Sequence, residues 1–284
     1  MLEALSFTFM QNALWAGLLA SIACGVMGTL VVVGRTVFLA GGIAHAAYGG
    51  VGLAFYFGLP VLPCALGFTT GASLVMGAAT LRRTERTDTV IGVLWASGMA
   101  TGILLLDLTP GYKSDLMSFL FGSILTVPTA DLWAMAGLDA LIVGFAAWAY
   151  KDLLVMSFDC EFAATRGVPV TLLHFLVPAL TACAVVMIVQ VVGLILVIAL
   201  LTIPPYLAER TAGSLGRMMA LSSLYSLLFC TSGLWLSYVF DLTSGASIIA
   251  VATVAFFVVS GLGALRSGLR SGLRSARRAA GGRA

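Results

Sequence analysis

Charge is the scarcest ingredient of this sequence. Asp, Glu, Lys and Arg make up 10% of its 284 residues, against 60% hydrophobic residues, and the mean hydropathy is +1.07. A soluble domain carries about 25% charged and 45–50% apolar residues, so a water-soluble fold could not bury this much apolar surface. The composition excludes a cytosolic enzyme, a nucleic-acid-binding protein and a disulfide-stapled secreted domain. It predicts an all-α fold: a polytopic integral membrane protein with eight or nine transmembrane helices, some broken or re-entrant, at about 20 residues per span.

Other absences narrow the chemistry. No G-x-x-x-x-G-K-[ST] phosphate loop occurs, so the chain cannot hydrolyse ATP by itself. No H-E-x-x-H or G-x-S-x-G motif occurs, and no span carries a row of arginines or a filter-like signature. The chain is therefore not expected to be an enzyme, and no bound cofactor is expected. The five cysteines contain no C-x-x-C pair; four lie in apolar stretches and read as small buried hydrophobes, and Cys160 lies in a polar loop. No cleavable signal peptide is evident, because the first apolar run is long enough to span and lacks a basic segment before it.

What is there is a succession of apolar runs. Spans are expected at about Leu14–Val33, Ile43–Leu59, Val61–Leu81, Val90–Leu106, Leu132–Tyr150, Val170–Val189, Val191–Leu207, Met218–Phe240 and Gly245–Leu265. Residues 1–12 suit a short interfacial helix. The second run is short and glycine-rich (Gly41, Gly42, Gly49, Gly50, Gly52, Gly58), which suits a broken helix as readily as a clean span. The apolar piece from Leu116 to Pro128, about 13 residues, is too short to span and suits a re-entrant or interfacial segment. The seventh span is expected to end on Pro204-Pro205.

Basic residues set the orientation. Arg35, the Arg82–Arg86 loop, Lys151 with Arg166, Arg210 with Arg217, and the arginine tail all fall on one side if the spans alternate. That side is cytoplasmic, with the N-terminus outside and the C-terminus inside. The net charge of +3 hides an asymmetry: six arginines lie in the last 19 residues, and the rest of the chain sums to −3. Residues 1–265 read as the transmembrane domain and 266–284 as a basic cytoplasmic tail. Its L-R-S-G repeat puts Arg266, Arg270, Arg274 and Arg278 on one helical stripe, suited to anionic membrane lipids; a disordered basic anchor fits equally.

Ionisable residues inside a membrane are functional suspects. Histidine occurs only twice. His45 sits among small residues in A-G-G-I-A-H-A-A-Y-G-G, where an imidazole could ligate a transition metal or simply sit in a helix-packing patch. His174 reads as interfacial. Asp107, Asp115, Asp131 and Asp241 fall near outer span ends, as an acidic mouth or as solvated turn residues. Asp139 lies inside the fifth span and needs a partner or water.

Five segments, in order, resemble the membrane permease subunits of zinc/manganese/iron-type ATP-binding-cassette (ABC) importers. They are G-R-T-V-F-L-A-G-G-I-A-H-A-A-Y-G-G-V-G-L-A from Gly34, D-T-V-I-G-V from Asp88, S-F-L-F-G-S-I-L-T-V-P-T-A-D-L from Ser118, D-C-E-F-A-A-T-R-G-V-P-V from Asp159, and V-V-G-L-I-L-V-I-A-L-L-T-I-P-P-Y-L-A from Val191. The resemblance implies a bacterial-type inner-membrane permease that works as a homodimer. Its partners would be ATP-binding subunits, which hydrolyse the ATP, and an extracytoplasmic metal-binding protein. It implies a transported divalent cation (zinc, manganese or iron), with His45 and Asp131 as candidate metal contacts and no nucleic acid involved. It also implies that Asp159, Glu161, Phe162, Ala164, Arg166 and Gly167 dock into the ATPase and couple hydrolysis to alternating access. One departure stands out. The family pattern around the histidine is closer to G-D-A-L-S-H, whereas this chain has Gly41 at the acid position and Ala44 at the serine.

Two rivals remain at this level. A standalone gradient-driven secondary metal transporter would need membrane-embedded acids, of which there are few. A non-transporting scaffold leaves the glycine-rich second run unexplained.

Overall fold

The computed structural model describes residues 8–81, 87–110, 124 and 127–281, with the backbone alone for 190–191 and 263–281. The described residues form eleven helices and no strand: α1 (Thr8–Val33), α2 (Val37–Phe57), α3 (Val61–Thr80), α4 (Thr87–Leu108), α5 (Thr129–Trp148), α6 (Tyr150–Phe158), α7 (Cys160–Thr165), α8 (Val170–Val192), α9 (Leu194–Glu209), α10 (Leu215–Phe240) and α11 (Ser244–Gly281). Eight are long and apolar enough to cross a membrane, and α9 is a shorter apolar helix. This agrees with the expected eight or nine segments.

Reversals fall where the backbone can take positive φ. Gly58 (φ 67°) caps α2, Gly193 (φ 87°) joins α8 directly to α9, and Asp241 (φ 51°) turns α10 into α11. Three tertiary hydrogen bonds group the helix ends. Asn12 Nδ2 donates to the Val127 carbonyl at 3.1 Å, so α1 and α5 start on one side. Gly216 N donates to the Tyr150 hydroxyl at 3.1 Å, and Arg210 donates to the Val259 carbonyl at 3.2 Å. The end of α5, the end of α9, the start of α10 and residues 259–260 of α11 therefore share the opposite side, which the basic residues mark as cytoplasmic.

Three expectations change. The glycine-rich second run is a continuous helix: its glycines serve close packing, and the break lies at Gly193 instead. The segment from residue 1 is not a separate interfacial piece from Thr8 on, because α1 runs unbroken from there. Pro204-Pro205 do not end α9, which continues to Glu209. Pro205 lacks the N–H that the Leu201 carbonyl would accept from. In a membrane, neighbouring helices accommodate such freed groups, and here Gly28 of α1 makes the room: a Cβ at 28 would sit 2.7 Å from the Leu201 oxygen. The stretch expected to be re-entrant lies outside the described residues apart from Ile124, Val127 and Pro128, the first two of which are buried.

The interior is built around α1, α2 and α9, whose side chains are largely buried. The outer helices turn apolar side chains to lipid. Trp133 and Trp148, at opposite ends of α5, are 77% and 74% exposed. They stand about 22 Å apart at 1.5 Å per residue, as expected of aromatic residues at the two membrane interfaces.

Candidate functional site

Two places combine exposed or uncommitted polar chemistry with a defined scaffold: the α2–α4 seam in the middle of the spans, and α7 on the cytoplasmic side.

Small residues draw α2 and α4 together in parallel. A Cβ at Gly98 would meet the Ala46 Cα at 2.8 Å, and one at Gly102 would overlap the Tyr48 carbonyl. His45 lies on this seam, about 12 Å along α2. Its imidazole stacks on the Trp95 indole of α4, with centroids 4.2 Å apart and planes 13° from parallel. The indole is held in turn: its Nε1 donates to Met99 Sδ at 3.1 Å, and Phe38 packs against it at 5.8 Å. His45 Nδ1 is buried without a partner, and the described residues offer no hydrogen bond to either ring nitrogen.

His174 differs sharply. Its Nε2 lies 3.2 Å from the Gly77 carbonyl, to which it donates, and 3.3 Å from Thr80 Oγ1. One histidine is spent on tying α8 to α3, and the other is uncommitted.

Gly41 stands one turn before His45 on the same helical face. A Cβ there would meet only Ile198 Cδ1 of α9, at 3.9 Å, so the missing carboxylate is not excluded by space. Asp131 lies half-buried in the first turn of α5 on the outer side. α2 packs on α3, α4, α8 and α9, while α5 packs mainly on α1, α6 and α8. His45 and Asp131 thus sit on helices with no extensive common seam. Among the described residues, no three His, Cys, Asp or Glu side chains cluster as a metal site. Asp139 is buried in α5 with Oδ2 unpartnered, and Ser222 and Ser226 of α10 are likewise buried with uncommitted hydroxyls. The five cysteines are free thiols.

The cytoplasmic segment is a six-residue helix capped at both ends. Asp159 Oδ1 accepts from Glu161 N (2.9 Å) and Phe162 N (3.0 Å), satisfying two donors of the first turn. At the other end Gly167 takes φ 80°, with Gly167 N donating to the Ala164 carbonyl and Val168 N to the Ala163 carbonyl, both at 3.1 Å. That pair of bonds is the Schellman termination. Ala163 is buried, whereas Glu161, Phe162, Ala164, Arg166 and Gly167 are exposed. The Arg166 guanidinium lies 5.2 Å from the Phe162 ring centre. All six residues singled out from the sequence therefore lie on one short, capped, largely exposed element.

Sequence reasoning missed two residues here. Phe158, 86% exposed, ends α6 just before the Asp159 cap of α7; an exposed Phe beside a polar stretch was its only signal. Trp95 gave no signal, because its partner lies 50 positions away.

Comparison with known proteins agrees with this architecture. Residues 6–262 match the ABC 3 transport family. The chain is 50% identical over 258 residues to the uncharacterized membrane protein slr2045 of Synechocystis sp., covering 91% of this chain and 92% of that one. It is 31% identical to the manganese transport system membrane protein MntC of Listeria monocytogenes, over 89% of this chain and 90% of that one. The fold superposes on a chain of PsaBC from Streptococcus pneumoniae with a TM-score of 0.81 and 32% identity, covering 91% and 93% of the two chains. The chain is therefore a multi-pass inner-membrane protein of the ABC 3 transport family, a permease subunit of the metal-importing ABC transporters.

Proposed function

We propose that this permease moves a divalent transition-metal cation inward by alternating access, with His45 as the mid-membrane contact. The single observation that carries the reading is the uncommitted imidazole of His45, held on a rigid seam about halfway through the spans. Neutral imidazole suits zinc and iron(II), manganese leans more on oxygen ligands, and availability decides among the three as much as affinity does. Manganese stands first, because curated relatives carry it in their names. Asp131, on the outer side, attracts the cation as it is delivered by an extracytoplasmic binding protein. A single imidazole without the carboxylate at position 41 makes a weak stop, which suits a pathway that must release its ion.

The driving force comes from an ATP-binding subunit docked on α7. A capped helix of six residues transmits motion as a rigid body, and the exposed Phe158 and Phe162 give the docking partner an apolar anchor. Two copies of the chain form the pathway, surrounded by membrane lipids.

The test is purification of the full chain from native membranes in mild detergent, with mass spectrometry of what accompanies it. A stoichiometric ATP-binding subunit is the expected result. An intact, monodisperse permease without one would overturn the ABC assembly and favour a gradient-driven carrier.

A further inference from the structure

Histidine ligands are ordinarily oriented by a hydrogen bond from the ring nitrogen that does not bind the metal, to a carboxylate or a backbone carbonyl. His45 has no such bond: neither nitrogen has a partner among the described residues, and the residue one turn earlier is Gly41. Yet the ring is not loose. The indole of Trp95 covers one face at a 4.2 Å centroid distance and 13° from parallel. Trp95 itself cannot swing freely, because its N–H is bound to Met99 one turn along α4 and Phe38 leans on it. The helix carrying it is pinned to α2 by backbone contacts at Gly98 and Gly102, one and two turns further on.

Stacking and ligation use different parts of an imidazole. The π-face meets the indole, whereas the nitrogen lone pair that binds a metal lies in the ring plane. A face-on clamp therefore fixes the ring without spending a nitrogen. We propose that Trp95 is a positioning residue for the cation contact: it replaces the missing hydrogen-bond support of His45 by aromatic stacking, and so holds the ring plane, which contains the ligating lone pair, edge-on to the passing ion. This rests on the reading of His45 as a cation contact. It adds that the aromatic character of residue 95, beyond its bulk, sets the efficiency of that contact. With no hydrogen bond on the ring, the neutral imidazole offers its one lone pair to a cation and releases it without breaking such a bond.

The test is a double-mutant cycle on manganese uptake in cells carrying the intact transporter. Variants are matched for membrane abundance and for co-purification of the ATP-binding subunit, so that misfolded protein is not counted. Trp95→Ala is expected to lower uptake about tenfold, the lower end for loss of an outer-shell support. Trp95→Phe should retain most of the wild-type rate, and Trp95→Leu, which keeps bulk without a π-face, should resemble Trp95→Ala. In a His45→Ala background, Trp95→Ala should cause no further loss. Rescue by leucine, or a tenfold loss in both backgrounds, would make Trp95 a packing residue and overturn the proposal while leaving His45 in place. Wild-type uptake by His45→Ala would instead overturn the reading beneath it.

Discussion

Gly98 of α4 faces Ala46 of α2 so closely that a Cβ on Gly98 would lie 2.8 Å from the Ala46 Cα. This contact sits one residue from His45, so the seam spacing and the stacked rings are one geometric unit. Gly98→Val should force the helices apart, at about 1–3 kcal/mol as for other overpacked interiors, and should lower uptake. Gly92→Ala, on the same helix with open space around it, should leave both unchanged. Thermal unfolding in detergent and uptake at matched abundance read the two effects.

The two histidines should separate stability from transport. His174→Ala breaks the link to Gly77 and Thr80 and should cost about 1 kcal/mol of stability, with uptake per folded molecule preserved. His45→Ala should do the reverse. Melting temperature measured beside uptake distinguishes them, and equal behaviour of the two variants would count against the assignment.

At α7, Asp159→Ala removes the acceptor for two first-turn N–H groups and should loosen the helix by about 1 kcal/mol. Asp159→Asn keeps an acceptor and should be close to neutral. Reversing Glu161 and Arg166, or replacing Phe158 and Phe162 by Ser, should abolish capture of the ATP-binding subunit without changing the permease's own melting temperature, since these side chains are exposed. Co-purification yield is the readout.

Asp139 gives a different expectation. A buried carboxyl oxygen without a partner carries a desolvation cost, and no ion pair fixes it among the described residues. Asp139→Asn should therefore leave stability equal or raised, with uptake within about twofold. A large uptake loss in a stable Asp139→Asn protein would instead assign the carboxyl a part in transport.

The spans were legible because hydropathy over about 20 residues is a strong signal, and the helix ends that the basic residues place on one side at Tyr150, Arg210 and Val259 do lie together. Asp159 and Gly167 were singled out by the resemblance alone; that they bracket a helix, as N-cap acid and left-handed glycine, emerges from the structure. Glycine itself was ambiguous. In α2 it serves close packing against α3 and α4, while at Gly193 it makes the turn, and one sequence pattern covers both uses. Pro204-Pro205 misled because the compensating residue, Gly28, lies far away in the chain. The stacking of His45 on Trp95 was invisible for the same reason: long-range pairs depend on which helices share a seam, and hydropathy does not encode that.

The central claim is that this chain carries a transition-metal cation under the drive of an ATP-binding partner. The most direct test is cellular manganese, zinc and iron content in metal-limited medium, in a strain lacking the chain and in the same strain restored with wild type or with the Glu161/Arg166 charge reversal. The account predicts that at least one of the three metals falls on deletion and recovers with wild type, but not with the reversal. Unchanged levels of all three metals, or full recovery with a permease that no longer binds its ATPase, would contradict it.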